Sequence, residues 1–214
     1  MTMYQRVLKR LIDFFLSTMG IVILALPMGI LALIIKITDP GPVFFKQTRV
    51  GIHKNHFEMY KFRSMRMDTP KDCPTHLLEN PEQYITPIGK FLRKTSLDEL
   101  PQLFQIWTGK MSVIGPRPAL WNQYDLIAER DKYGANDVRP GLTGWAQING
   151  RDELEIPLKA ALDGEYVEKM SFGFDCKCFF GTIAVVLRSD GVVEGGTGEM
   201  KKREHKMGEE IASK

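Results

Sequence analysis

The chain has 214 residues and a formal net charge of +3, with Lys and Arg scattered rather than gathered into a basic arm. That pattern argues against a nucleic-acid binder, and the length leaves room for one membrane segment and one compact domain with a single active site. Three cysteines, of which Cys176 and Cys178 are too close along the chain to pair comfortably, give no disulfide framework. The soluble part therefore reads as cytoplasmic, and with the four histidines the cysteines also lack the spacing of a zinc site.

The first predicted element is a membrane segment. No charged residue occurs between Asp13 and Lys36, and Phe14 to Ile35 is dominated by Leu, Ile, Val, Phe, Met and Ala. A straight helix over that run is about 33 Å long, enough to cross a hydrocarbon core. One reading is therefore a single-span anchor or an uncleaved signal, since no small-residue cleavage site follows. Two features favour a helix that enters one leaflet and returns. Pro27, near the middle, removes a backbone donor and should kink the helix. Arg6, Lys9 and Arg10 flank one end and Lys36, Lys46, Arg49 and Lys54 follow the other, so both flanks carry the positive charge that marks the cytoplasmic side.

After Asp39-Pro-Gly-Pro42 ends the helix, Val43 to Lys46 and Phe57 to Phe62 read as a small hairpin joined through Gly51 to Asn55. Asp68 to Pro81 reads as an exposed loop. Pro87 to Lys94 and Ser96 to Trp107 read as helices, the second on the spacing of Leu97, Leu100, Leu103, Phe104 and Trp107. Met111 to Ile114 is a short apolar piece running into Gly115-Pro-Arg-Pro118. Helical periodicity returns at Leu120, Trp121, Tyr124, Ile127 and Ala128, stops at Gly134, and resumes over Leu158 to Met170 and Phe174 to Leu187. Gly191 to Gly198 lacks the Lys-Ser/Thr ending of a phosphate-binding loop, and the tail beyond is charged and expected to be mobile. The expected fold class is helix-rich α+β: a re-entrant helix-break-helix over 1–40, a compact cytosolic domain over 41–198 with amphipathic helices against the membrane surface, and a tail over 199–214.

Chemistry concentrates at Thr95-Ser-Leu-Asp-Glu-Leu-Pro-Gln102. Ser96 followed by Glu99 reads as a capping box with Asp98 in the first helical turn. The same geometry also reads as two adjacent carboxylates held ionised in a positive field, one able to bind Mg²⁺ or to attack an electrophilic phosphorus. Arg117 lies between Pro116 and Pro118, and Arg139-Pro140-Gly141 repeats the device, followed by Thr143-Gly144-Trp145 and Asn149-Gly150-Arg151. Lys61 and Arg63 leave the second strand, and Arg93 with Lys94 precede the acids. Singly, each reads as a solvated surface charge. Together, proline-fixed arginines and paired acids beside a membrane point to a diphosphate substrate and a lipid co-substrate.

Nearly the whole chain resembles the monotopic bacterial sugar transferases, the small polyprenyl-phosphate phosphoglycosyl transferases that start glycan assembly. The resemblance is carried by Lys9-Arg10 with Asp13, Tyr60-Lys-Phe-Arg-Ser-Met65, Ser96-Leu-Asp-Glu-Leu-Pro-Gln-Leu103, Gly109-Lys-Met-Ser-Val-Ile-Gly-Pro-Arg-Pro118 and Val138-Arg-Pro-Gly-Leu-Thr-Gly-Trp-Ala-Gln-Ile-Asn-Gly150. It implies Mg²⁺ dependence and transfer of a phospho-sugar from a UDP-sugar donor to undecaprenyl phosphate with release of UMP, at the bacterial inner membrane facing the cytoplasm. It implies Asp98 as nucleophile and magnesium ligand, forming a covalent phospho-sugar intermediate, with Glu99 as its dyad partner. Lys61, Arg93 and Arg117 match positions implicated in substrate binding; Arg139 and Arg151 fall in matching motifs. The chain departs from the pattern at Leu26, where serine is common before the proline. The tail segment Arg188 to Gly198 resembles members acting in capsule or other surface polysaccharide synthesis, for which an N-acetylated or deoxy-hexosamine donor is the expectation. A homodimer is compatible with the sequence. Two other functions stay open: a membrane-tethered interaction protein whose acids are caps, and a hydrolase of lipid-linked or nucleotide diphosphates.

Overall fold

A computed structural model of the chain describes residues 2–69, 80–150 and 154–188. Arg151, most of the expected Asp68 to Pro81 loop, and the tail including Gly191 to Gly198 lie outside the described residues. One short π-helical stretch, Tyr4–Leu8, leads into α1, Lys9–Thr38. The hairpin follows as β1 (Phe44–Val50) and β2 (His56–Phe62), paired antiparallel from Phe44 opposite Phe62 to Val50 opposite His56. β1 thus runs four residues beyond the predicted strand end at Lys46, because its partner strand continues to pair with it up to the turn.

Helix α1 corrects one expectation. It runs through Pro27 as a single helix, where a helix-break-helix is expected from the sequence. The proline removes one hydrogen bond, to the Ile23 carbonyl, from a thirty-residue ladder. The domain packs on both sides of that point. On the amino-terminal side Arg10 donates to the carbonyls of Ile106 (2.6 Å) and Trp107 (2.7 Å), Asp13 accepts from the Val113 amide (3.0 Å), and Phe14 stacks on Trp107. On the carboxyl-terminal side Met28, Leu31 and Ile35 form one core with Phe62 and Leu92, joined by Leu97 and Leu100. Asp13, Ser17, Met28, Leu31 and Ile35 make the buried stripe, whereas Phe15, Met19, Val22, Ile23, Leu26, Ile30, Leu33 and Ile37 form an exposed apolar face.

Helix α2 (Pro87–Lys94) starts as its residues dictate: Thr86 caps it by accepting from the Gly89 amide at 3.0 Å, and Pro87 occupies the first turn, where no donor is needed. The predicted single helix from Ser96 to Trp107 is instead a one-turn 3₁₀ segment, Leu97–Glu99, followed by α3, Gln102–Trp107. Then come β3 (Ser112–Ile114), α4 (Tyr124–Asp131), β4 (Gly141–Thr143), α5 (Trp145–Ile148), α6 (Ile156–Lys169) and α7 (Phe172–Arg188). β3 and β4 form a second, parallel pair that is not anticipated from the sequence, with Ser112 opposite Gly141 and Ile114 opposite Thr143. Glycine is required there by close approach: a Cβ on Gly141 would lie 2.1 Å from the Gly115 amide nitrogen. The pairing launches Gly115-Pro116-Arg117 from one fixed direction. α4 and α6 are locked by a buried pair, with Arg130 Nε and Nη2 donating to Asp163 Oδ2 at 2.8 and 2.6 Å. Cys176 and Cys178 are free thiols on α7.

Candidate active site

Asp98 and Glu99 sit together on the 3₁₀ turn between α2 and α3. Ser96 before them adopts φ 56° and ψ 18°, the left-handed region, and its side chain makes no cap. The capping-box reading of these acids is therefore wrong: a serine in that conformation does not cap the turn, and Pro101 separates the acids from α3. A single 3₁₀ turn has too little dipole to hold two carboxylates ionised. That work falls to cations brought from three other segments.

Lys61, near the end of β2, places Nζ 2.7 Å from Glu99 Oε1 and 3.8 Å from Asp98 Oδ2. Arg117, on the proline-flanked loop after β3, places Nη2 2.7 Å from the same Glu99 oxygen. Arg93, in the last turn of α2, adds positive potential at Asp98. The structure thus assembles Lys61, Arg93, Arg117, Asp98 and Glu99, residues up to 56 positions apart in sequence, around two largely buried carboxylates.

The environments of the two acids diverge. Burial by itself would raise the Glu99 carboxyl, but Arg117 and Lys61, by charge and hydrogen bond, outweigh it and hold the group well below the usual carboxylate range. For Asp98 burial wins: it pushes the carboxyl above that range against the pull of Lys61, with the Glu99 charge adding to the rise and Arg93 and Arg117 opposing it. Two adjacent carboxylates pushed in opposite directions are the signature of divided roles. Glu99 is the ion-paired anion of the two, bonded to Lys61 and Arg117, and Asp98 is the less compensated one.

Arg139 is directed elsewhere. Its Nε donates to the Gly109 carbonyl at 3.0 Å, and it lines a cavity beside the amino-terminal half of α1 with Lys9, Arg10, Asp13 and Tyr166. Two features of the site escape sequence reasoning. One is the left-handed Ser96, since a Ser three residues before Glu looks like a cap whichever conformation it takes. The other is the buried cluster at the start of α1, where Asp175 accepts from Lys9 (2.6 Å) and Tyr166 (2.8 Å) and pairs with Tyr4; the only sequence signal for it is Lys9 itself.

Among the described residues no three His, Cys, Asp or Glu side chains gather into a cage for a metal. The donor set present is the Asp98 carboxylate and the second Glu99 oxygen, Oε1 being taken by Lys61 and Arg117. That set fits Mg²⁺, which keeps several waters and is held by one or two carboxylates together with substrate phosphates.

The family model described as bacterial sugar transferase matches residues 4–189 of the chain. Among curated proteins, the UDP-glucose:undecaprenyl-phosphate glucose-1-phosphate transferase of Escherichia coli (strain K12) is 40% identical over 187 residues, covering 84% of this chain and 40% of that protein. The uncharacterized sugar transferase EpsL of Bacillus subtilis (strain 168) is 39% identical over 191 residues, covering 87% of this chain and 90% of that protein. The exopolysaccharide production protein PSS of Rhizobium leguminosarum bv. phaseoli is 40% identical over 189 residues, covering 83% of this chain and 94% of that protein. The chain therefore spans about two fifths of the length of the E. coli relative and nearly all of the other two.

Proposed function

The chain belongs to the bacterial sugar transferase family, and from that premise we propose that it transfers a phospho-sugar from a UDP-sugar to undecaprenyl phosphate, releasing UMP. The observation that carries the proposal is the split dyad: Asp98, largely buried and raised, beside Glu99, which is clamped by Lys61 and Arg117. The name of the E. coli relative supplies the donor and acceptor classes, and that of the Rhizobium relative supports a place in surface-polysaccharide synthesis.

In this reading the ionised Asp98 attacks the sugar-bearing phosphorus of the donor. The bond from that phosphorus to the bridging oxygen breaks, and UMP leaves with the electron pair. An oxygen of undecaprenyl phosphate then attacks the phosphorus of the aspartyl intermediate, restores the carboxylate and gives the polyprenyl-diphosphate sugar. No protein base is needed for that step, because the attacking oxygen is already anionic. Arg93 and Arg117 bind phosphate oxygens, and Lys61 meets charge on the bridging region. Asp98 and the free oxygen of Glu99 would hold Mg²⁺, which when bound offsets the diphosphate charge.

The proposed topology is monotopic, with both ends of α1 on the cytoplasmic side of the inner membrane. Two observations support it: the same domain packs on both halves of α1, and the opposite face is continuously apolar. A helix crossing the bilayer could touch a domain on one side only near one end.

The test incubates the full chain in lipid with Mg²⁺, a panel of UDP-sugars and undecaprenyl phosphate. UMP release that depends on one sugar and yields a lipid product is the expected result. UMP release that continues without lipid and yields free sugar phosphate indicates a hydrolase, and no release from any donor defeats the reading.

A further inference from the structure

The loop that follows α1 is fastened to the catalytic strand by one buried side chain. Arg63, two residues beyond Lys61, is 4% exposed. Its Nη2 donates to the Asp39 main-chain carbonyl and lies 3.2 Å from Asp39 Oδ2, and its own amide donates to the Val43 carbonyl at 2.9 Å. The loop Asp39-Pro40-Gly41-Pro42 closes over the guanidinium. Gly41 has φ 144°, which disfavours any side chain, and a Cβ there would sit 2.2 Å from Arg63 Nη1. Lys36, in the last turn of α1, donates to the Gly41 carbonyl at 2.9 Å. On the other side, the Ser64 carbonyl accepts from the Thr86 amide at 3.1 Å, at the cap of α2, the helix that carries Arg93.

Stability alone does not account for this arginine. Among the described residues Nε and Nη1 are buried with no hydrogen-bond partner, and a buried guanidinium with unfilled donors is worth no more to folding than an apolar side chain of similar volume. What Arg63 offers that an apolar residue cannot is a directional tie between the exit of the membrane helix and the strand that presents Lys61 to Asp98 and Glu99. We infer that Arg63 is a positioning residue: by clamping Asp39 and the Gly41 turn it fixes the depth at which the carboxylate pair stands relative to the lipid surface where a long-chain phosphate acceptor is held. The inference rests on the phosphoglycosyl transfer reading above.

The experiment compares two acceptors. One is undecaprenyl phosphate embedded in phospholipid vesicles, where depth is imposed by the bilayer; the other is a short prenyl phosphate dissolved in detergent, where it is not. Arg63→Met keeps the volume and removes the tie, Arg63→Lys keeps the charge and removes the fork, Asp39→Asn weakens the partner, and Gly41→Ala displaces the guanidinium without deleting any polar group. Expected for all four is a KM for the vesicle acceptor raised about tenfold or more, with the KM for the UDP-sugar and the rate with the short acceptor close to wild type; the thermal midpoint stays close to wild type for the Arg63 and Asp39 variants and falls for Gly41→Ala, whose backbone conformation disfavours a side chain. Equal loss with both acceptors, a raised donor KM, or an unchanged vesicle KM overturns the assignment. Should Arg63→Met not fold, Gly41→Ala and Asp39→Asn decide the matter by the same readouts. Wild-type protein that releases no UMP from any donor defeats the transferase reading itself, a result obtained before any variant is made.

Discussion

At the scale of single residues, the difference between Asp98 and Glu99 governs what each substitution does. Asp98→Asn removes the attacking oxygen charge and is expected to lower UMP release by about 10³-fold or more, with the adduct lost from a donor-trapping experiment read by mass spectrometry. Arg117→Met removes one cation from Glu99 and from the substrate phosphates and is expected to cost about 10²-fold in kcat/KM. The pH profile separates the acids further. In the proposed mechanism Asp98 must be ionised, so activity falls as pH drops through its raised pKa, and the acid limb lies above the usual carboxylate range. Lys61 pulls that pKa down and Glu99 pushes it up. Lys61→Met should therefore move the acid limb to higher pH, and Glu99→Gln to lower pH, in a profile of donor-dependent UMP release; shifts in the opposite sense would contradict the assignment of the limb to Asp98. The grouping of these acids with Lys61, Arg93 and Arg117, which the structure brings together, was legible in the paired carboxylates, the stiff arginines and the family resemblance. Their setting was not: Ser96 in the left-handed region and Ser96 as a cap share the same three-residue spacing to Glu99.

At the scale of elements, legibility followed length. α2, α6 and α7 lie within a few residues of their predicted bounds because each carries at least two turns of apolar periodicity or an unambiguous start at Pro87. The three-residue strands β3 and β4 are too short to show any period, and the partner of Ser112 lies 29 residues ahead at Gly141, a separation that no local pattern encodes. The Arg130 and Asp163 lock between α4 and α6 was equally hidden, since each residue alone reads as a surface charge. Both are almost fully buried, so leaving one without the other strands a charge. Arg130→Met or Asp163→Asn alone is expected to lower stability by about 3–5 kcal/mol, whereas the double change Arg130→Met with Asp163→Leu costs less than either. Denaturant midpoints of the three proteins check this, and a double variant whose loss equals the sum of the single losses would show no coupling between the two residues and overturn the lock.

At the scale of the whole molecule, the sequence pointed correctly to one long apolar element, whose helical run Lys9–Thr38 continues through Pro27. A proline predicts lost backbone hydrogen bonding, but whether the helix breaks depends on what packs on either side, and here the Arg10, Asp13 and Phe14 contacts on one side and the Met28, Leu31 and Ile35 core on the other hold α1 in one piece. That packing has a consequence for topology. Lys9 and Ile35 are 26 residues apart, about 39 Å along a helix, and both ends of that length rest on the same domain. If the domain is cytoplasmic, both ends of α1 are too, and the outward face from Phe15 to Ile37 meets lipid. Single cysteines placed at Thr2 and at Thr38, with Cys73, Cys176 and Cys178 replaced by serine, should both react with a membrane-impermeant maleimide in inverted inner-membrane vesicles and neither in intact spheroplasts. Labelling of the two sites from opposite sides would mean that the helix crosses the bilayer, and the contacts of one of its halves with the domain could not exist in the membrane. The same packing predicts an asymmetry between faces: Ile30→Lys on the exposed face should weaken membrane retention in salt and alkaline washes while leaving the fold intact. Leu31→Lys, one position away and 8% exposed, should unfold the core that joins α1 to Phe62 and Leu92, because it buries an ammonium group among Met28, Ile35, Phe62 and Leu92.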